Sequence, residues 1–289
     1  YTLWHTLSLH DALPISPDDP PSYPSENMTD ALRFEKISFG YPGGTQEPVF
    51  TSLSLAIPRG QITALLGPNG VGKTTLLGLA LGWLHPAEGA VYLFGEPISG
   101  LTRGEMGRRI ALVPQSEYIP FEFTVTEDAI LGRSLHLRPL EIPKHRDMAV
   151  VESALREAGI AHLRDRPVTE LSAGERQLLL LARAIAQEPA LLLLDEPSSH
   201  LDLANKQKLL AVLSRRLEAG MTAVFTSHDP SFAAAIASTV CLLEGGEVFA
   251  VGDPVSTLTP DHLSRTYGVP VDVRLVDGEP VVVWHRQSR

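Results

Sequence analysis

Cysteine is almost missing from this chain. Cys241 is the single one in 289 residues, which excludes an internal disulfide and any Cys-rich zinc site and suits a reducing compartment. No apolar run approaches the roughly 20 residues that a membrane-spanning helix needs, so if the protein works at a membrane, another chain spans it. Basic residues are in the minority, with 24 Lys+Arg against 34 Asp+Glu for a formal charge of −10. That balance argues against bulk nucleic-acid binding, whose usual footprint is a basic surface. An acidic protein can still take phosphate on a local nest of backbone N–H groups. The composition argues against wholesale disorder too, because 44% of the residues are hydrophobic and 20% charged, close to globular averages. The length allows one large domain or two modest ones.

The stretch 1–27 carries Pro14, Pro17, Pro20, Pro21 and Pro24 without a strand or helix period, and is expected to be disordered. Leu7–Ile15 is not read as a signal peptide, since Asp11 interrupts it and no basic stretch precedes it. Thr6–Ile15 resembles the in-frame translation of a common sequencing-library adapter. The leader is therefore expected to be an artefact, with natural translation beginning near Met28.

Organised text starts at Leu32. Leu32, Phe34, Ile37 and Phe39 predict a strand, Tyr41-Pro42-Gly43-Gly44 a turn, and Leu53, Leu55 and Ile57 a second strand. A third strand, Ile62–Leu66, runs into Gly67-Pro68-Asn69-Gly70-Val71-Gly72-Lys73-Thr74-Thr75, followed by an apolar helix predicted over Leu76–Leu84. This is G-x-x-x-x-G-K-[ST] between a strand and a helix, the setting that the pattern requires. Glycines let the backbone wrap a phosphate chain, with N–H groups pointing inward at the helix N-terminus. Lys73 would neutralise β- and γ-phosphate charge and the Thr74 hydroxyl would ligate Mg²⁺. A glycine-rich turn can match by chance, but the flanking elements favour nucleotide binding.

Leu191-Leu192-Leu193-Leu194-Asp195-Glu196-Pro197 is an apolar run ending in two carboxylates. Its lack of alternation suits a central parallel strand covered on both faces, and acids at a strand's carboxyl end lie where α/β sheets place ligands. Asp195 can hold Mg²⁺ through water, and Glu196 can polarise an attacking water. By itself the pair could be a solvated turn; beside a phosphate loop it reads as part of a site.

Between these segments, Leu171-Ser172-Ala173-Gly174-Glu175-Arg176-Gln177 opens a helix predicted over Arg176–Ala186, and Ser172-x-x-Glu175 is a capping box. The same residues resemble the signature segment of ABC-type ATPases, usually Leu-Ser-Gly-Gly-Gln. The other parts stand in the family's order. Tyr41 lies where an aromatic ring stacks on adenine. Gln115, after the strand Ile110–Pro114, matches the glutamine that senses γ-phosphate and Mg²⁺. Ser198-Ser199-His200-Leu201-Asp202 matches the segment at the subunit contact, and His228, after the strand Thr222–Ser227, the histidine on γ-phosphate. Each alone is ordinarily structural; their joint order carries the resemblance, which covers about Leu32 to Leu258. Ala173 and Glu175 depart from the pattern, and Glu175 puts a negative charge near a triphosphate.

The resemblance implies an α/β fold: a P-loop NTPase core (RecA-like, with a mostly parallel sheet), an antiparallel β subdomain and an inserted α-helical subdomain. The ATPase domain is expected over 28–258, with the helical part at 116–166 and extending to about 186, and a C-terminal extension over 259–289. It also implies a homodimer packed head to tail around ATP and Mg²⁺, with Ser172 and the Gly174 N–H of one subunit facing the γ-phosphate held by the other. Glu196 is then the base, His228 and Gln115 position the reactants, and Lys73 holds the phosphates.

Helices are predicted over Thr126–Arg133 and Lys144–Ala158, and the apolar cluster of Tyr118, Ile119, Pro120, Phe121 and Phe123 either packs inside or meets a membrane permease. Pro120-Phe121-Glu122-Phe123-Thr124-Val125, Leu131-Gly132-Arg133 and Tyr267-Gly268-Val269-Pro270-Val271 resemble the importer ATPases for iron(III)-siderophore, haem and cobalamin. Such subunits sit on the cytoplasmic face of the membrane, with a solute-binding protein engaged indirectly. Zinc and manganese importer ATPases share parts of this pattern. Soluble repair or ribosomal ABC ATPases are the other alternative, but the interval between Lys73 and Ser172 lacks sustained heptads and no second phosphate loop follows. Hairpins are predicted from Val240–Leu243 with Val248–Val251, and from Val271–Leu275 with Val281–Trp284. His285 and the other histidines lack metal-ligand spacing and are read as surface residues.

Overall fold

A computed structural model of the chain describes residues 30–43, 48–117, 121–138, 140–199 and 201–283. The expectations for residues 1–27 and Met28, and those for Gly44, Tyr118, Ile119, Pro120, His200, Trp284 and His285, lie outside the described residues.

The first strands alternate as their sequence predicts. β1 (Asp30–Phe39) pairs antiparallel with β2 (Phe50–Pro58) and buries Leu32, Phe34, Ile37 and Phe39. The three-residue step from Phe34 to Ile37 would put them on opposite faces of a regular strand. A bulge at this point, where Lys36 has φ 49°, absorbs the extra residue and keeps both inside. β3 (Ile62–Leu66) is buried at all five positions. α1 spans Lys73–Ala80 rather than Leu76–Leu84. It begins at the loop lysine and stops before Gly82, whose φ of 65° is the left-handed turn that ends the helix. β4 (Glu88–Leu93) and β5 (Glu96–Pro97) complete a four-stranded antiparallel sheet ordered β2-β1-β4-β5.

Next come α2 (Arg103–Arg109) and β6 (Ile110–Val113), then α3 (Val125–Ala129), α4 (His145–Glu157) and α5 (Ala173–Ala186). The helix predicted over Thr126–Arg133 holds α-helical form only to Ala129 and tightens to a 3₁₀ helix over Ile130–His136. Gly132 packs against the Arg183 carbonyl of α5 there, so close that a β-carbon would lie 2.2 Å from it. β7 (Leu191–Leu194), α6 (Leu203–Glu218), β8 (Thr222–Ser227), α7 (Pro230–Ile236), β9 (Thr239–Glu244) and β10 (Glu247–Gly252) follow. α8 (Pro254–Thr257), α9 (Pro260–Tyr267) and the hairpin of β11 (Asp272–Val276) and β12 (Glu279–Val283) close the described chain.

The second sheet runs β10-β9-β3-β8-β7-β6, with parallel pairing throughout except between β9 and β10. β7 explains its own sequence. Leu192 and Leu194 enter one apolar cluster with α5 and α6, while Leu191 and Leu193 enter the other with α1 and the antiparallel sheet. A strand covered on both faces needs no polar alternation. Because β3, β7 and β8 lie parallel and adjacent, their carboxyl ends open at the same edge, and the motifs on them meet there.

Candidate functional site

The glycine loop joins β3 to α1. Asn69 and Gly70 are exposed, Pro68 is half-buried, and Val71 and Gly72 are buried. Gly72 has φ 106°, and a β-carbon there would lie 2.5 Å from the Phe50 ring, so only glycine permits this entry to the helix. Lys73 Nζ donates to the Gly67 carbonyl at 2.7 Å and the Pro68 carbonyl at 3.1 Å. Its ammonium also lies 3.6 Å from Glu196 Oε1. Burial pulls the Lys73 pKa below the ordinary lysine value, and the nearby Glu196 and Asp195 charges oppose that pull. No acidic residue occupies the first turn of α1, so its free N–H groups are left to receive an anion.

Asp195 and Glu196 leave β7 in different directions. Thr74 Oγ1 donates to Asp195 Oδ2 at 3.0 Å, bringing together the two oxygens expected on Mg²⁺ from segments far apart in sequence. Glu196 takes φ 48°, a left-handed conformation that costs a non-glycine residue about 1–3 kcal/mol. Its side chain turns towards Lys73 and His228, with Oε2 at 2.5 Å from His228 Nδ1. Thr226, fully buried at the end of β8, holds the two acids apart: its hydroxyl donates to Asp195 Oδ1 at 2.6 Å and accepts the Glu196 N–H at 2.9 Å. The sequence reading overlooked Thr226. Its only signal was a hydroxyl near the end of a buried strand, two residues before His228.

Gln115 stands exposed at the bend after β6 and takes no part in these hydrogen bonds. The preceding carbonyl, of Pro114, accepts from Gln177 Nε2 of α5 at 3.2 Å, which gives the last residue of the signature segment a contact that the sequence did not assign it. Tyr41 is 55% exposed; its hydroxyl lies 3.0 Å from Thr75 Oγ1, and its ring stands edge-on to Phe39 at 5.1 Å. That ring is therefore anchored at one end and presents a face beside the loop. The turn after Glu196 closes on that residue's own carbonyl, which accepts from Ser199 N–H and Oγ. Asp202 caps α6 by accepting from the Asn205 N–H at 2.8 Å.

The signature segment carries its capping box as its sequence predicts, with α5 beginning at Ala173 rather than Arg176. Ser172 Oγ accepts the Glu175 N–H at 3.2 Å, and Glu175 Oε2 accepts the Ser172 N–H at 2.8 Å. That second bond holds the Glu175 carboxyl below the ordinary glutamate range. The departure at Glu175 is thus absorbed in a helix cap. Ala173 is exposed, whereas Gly174 is buried against α6, where a β-carbon would sit 2.6 Å from Asn205 Nδ2. A larger residue at 174 would have to displace the Asn205 amide.

Glu175→Gln keeps an acceptor for the Ser172 N–H and is expected to hold the melting temperature near that of the parent. Glu175→Ala removes the acceptor and is expected to cost about 1 kcal/mol. The depressed carboxyl pKa makes the native cap's contribution present above the unfolded glutamate value and lost as pH falls through the folded one. Thermal melts at pH 7 and pH 4 check both the order of the variants and the narrowing of the gap in acid.

Among the described residues no group of three or more His, Cys, Asp or Glu side chains could hold a metal by itself. The Thr74 hydroxyl and the Asp195 carboxylate nevertheless fit Mg²⁺, a hard cation that keeps several waters and takes one or two protein oxygens when it shares a phosphate ligand.

The family model described as ABC transporter matches residues 50–199. The hemin import ATP-binding protein HmuV of Rhodococcus jostii is 36% identical over 93% of this chain and 91% of its own length. The molybdate import ATP-binding protein MolC of Haemophilus influenzae is 38% identical over 84% of this chain and 90% of its own. A metal-chelate type ABC transporter solved in an inward-facing conformation superposes with a TM-score of 0.76, at 35% identity, covering 89% of this chain and 97% of that one.

Proposed function

We propose, from the premise that this chain belongs to the ABC transporter family and is an ATP-hydrolysing import subunit, that it drives uptake of a metal chelate of the haem, iron(III)-siderophore or cobalamin type. The observation that carries the substrate class is the likeness, over nearly the whole of both chains, to a hemin import ATPase and to a metal-chelate transporter.

In this reading the ATPase domain occupies 28–258, and 259–289 form an extension. Two copies pack head to tail. ATP lies on Gly67–Thr75 of one, its adenine against Tyr41, and its γ-phosphate meets the Ser172 hydroxyl and the N-terminus of α5 from the other. Ser172 Oγ accepts only in its own cap, which leaves the hydroxyl proton free to donate to a phosphate. Mg²⁺, held by Thr74, Asp195 and Gln115, supplies charge neutralisation on the phosphates. Glu196 orients and deprotonates the attacking water, and His228, seated on the same carboxylate, steadies it and reaches towards the phosphate. Lys73 balances the charge that develops there.

No helix among the described residues is long and apolar enough to cross a membrane. In the proposed assembly the permease is a separate chain, and this subunit sits on its cytoplasmic face, with a solute-binding protein across the membrane. Phe121, 60% exposed near the Gln115 bend, suits that contact, while its neighbour Phe123 packs against the core.

Uptake of radioiron siderophore, radiolabelled haem, radiolabelled cobalamin and molybdate by cells with and without the gene tests the substrate class. Loss of one of the three chelates is the expected result. Loss of molybdate alone overturns the substrate class.

A further inference from the structure

The glycine loop and His228 meet a third segment that none of their motifs contains. α9 ends at Tyr267, and Gly268 takes the left-handed conformation, φ 67°, that turns the chain back at once. The turn is closed by Ser264 Oγ, which accepts the Val271 N–H at 2.9 Å. α9 itself is fastened to the β9–β10 hairpin. Arg265 Nε donates to Glu244 Oε2 at 2.7 Å, and its guanidinium lies 3.9 Å from the Phe249 ring centroid. Since β9 is the neighbour of β3, this fastening sets α9 beside the start of the glycine loop.

Tyr267 faces inward from that helix. With His228, Pro230, Leu263 and Val282 it lines a cavity of about 220 Å³. Its hydroxyl is buried and closes no hydrogen bond of good geometry. Asp229, Glu196 and the backbone amide of Gly67 are the groups that act on it, and burial raises its pKa, so the phenol stays neutral, able both to donate and to accept. A hydroxyl buried beside these groups calls for an explanation beyond packing, because phenylalanine would present the same ring to the cavity without a polar atom. The side chain shares its cavity with His228 and Pro230, and its hydroxyl feels Gly67, whose carbonyl holds Lys73, together with the charges of Glu196 and Asp229.

We propose that Tyr267 is a positioning residue for ATP hydrolysis, its hydroxyl bridging the Gly67 loop and the His228 segment when the site closes on nucleotide. The C-terminal extension thereby takes a direct part in the chemistry of a site assembled by other motifs. The inference rests on the reading of this site as an ATPase centre. Ground-state binding of ATP depends on the loop amides and Lys73, which a phenylalanine at 267 leaves in place. Only the mutual placement of Gly67, Glu196 and His228 depends on the hydroxyl.

The test is steady-state ATPase kinetics and thermal melting of the full-length Tyr267→Phe protein beside the parent and Glu196→Gln. The expected result is kcat lowered about fivefold, KM for ATP within about twofold of the parent, and an unchanged melting temperature. Parental kcat in Tyr267→Phe, or kcat and melting temperature falling together, overturns the proposal. If Tyr267→Phe is fully active while Glu196→Gln is not, the tyrosine's role alone falls. Should Glu196→Gln turn over normally, the ATPase assignment beneath it falls instead.

Discussion

Glu196→Gln is expected to lower ATP turnover by at least about a hundredfold, the usual contribution of a positioned general base, while ATP binding is retained. The geometry supports the proposal that this one residue separates chemistry from binding. Glu196 is held on the strained turn after β7 by the bond from its N–H to Thr226, and its two oxygens face Lys73 at 3.6 Å and His228 at 2.5 Å. Glutamine matches it in shape and preserves the backbone bond. What it loses is the negative charge that accepts a proton from water. Lys73 keeps both loop carbonyls and the Asp195 charge as partners, so the nucleotide seat stays intact. An ATP-bound dimer should therefore accumulate on size-exclusion chromatography with ATP and Mg²⁺, and phosphate release should nearly stop. Turnover at the parental rate would remove Glu196 from its role.

Lys73→Ala is expected to act on the other half of the cycle, weakening ATP by about 10- to 100-fold, the worth of one or two hydrogen bonds to a charged group. Lys73 is the cation between the Gly67 and Pro68 carbonyls and the Glu196 carboxylate, and it is almost completely buried. Alanine leaves two carboxylates, Asp195 and Glu196, on the approach to a polyanion with no charge to offset them. Titration of a fluorescent ATP analogue reads the affinity directly, and the contrast with Glu196→Gln is the informative part. One variant should bind without turnover; the other should fail to bind. Equal affinities for the two proteins would mean that Lys73 does not face the phosphates.

Much of this architecture was legible beforehand because its signals are local. A run of four leucines before two acids suits a strand buried on both sides, and the residues of β7 do divide between the two apolar clusters. The glycine loop announced itself because its spacing is a backbone requirement, as the contact between Gly72 and Phe50 makes plain. The capping box of α5 was equally readable, since Ser172 and Glu175 lie within one turn. Helix ends were less so. α1 begins three residues before its apolar stretch because the phosphate loop, rather than hydrophobic period, starts it. The 3₁₀ helix after Ala129 is imposed by the close approach of Gly132 to the Arg183 carbonyl, a contact between segments far apart in the chain.

The amino-acid order alone determined the strands, the phosphate loop, the acid pair and their succession, because each depends on neighbours within a few residues. Which polar groups actually touch was decided in three dimensions. Thr226 acquires its purpose only when β8 lies parallel to β7 and its hydroxyl falls between Asp195 and Glu196. Gly174, whose place in the signature suggests a phosphate contact, also packs closely against Asn205. Tyr267 reaches the site from some 200 residues beyond the glycine loop, through a helix tied to the neighbouring strand. Hydrogen bonds reach about 3 Å and have no memory of chain distance, so contacts of this kind exist only once packing has brought their partners together.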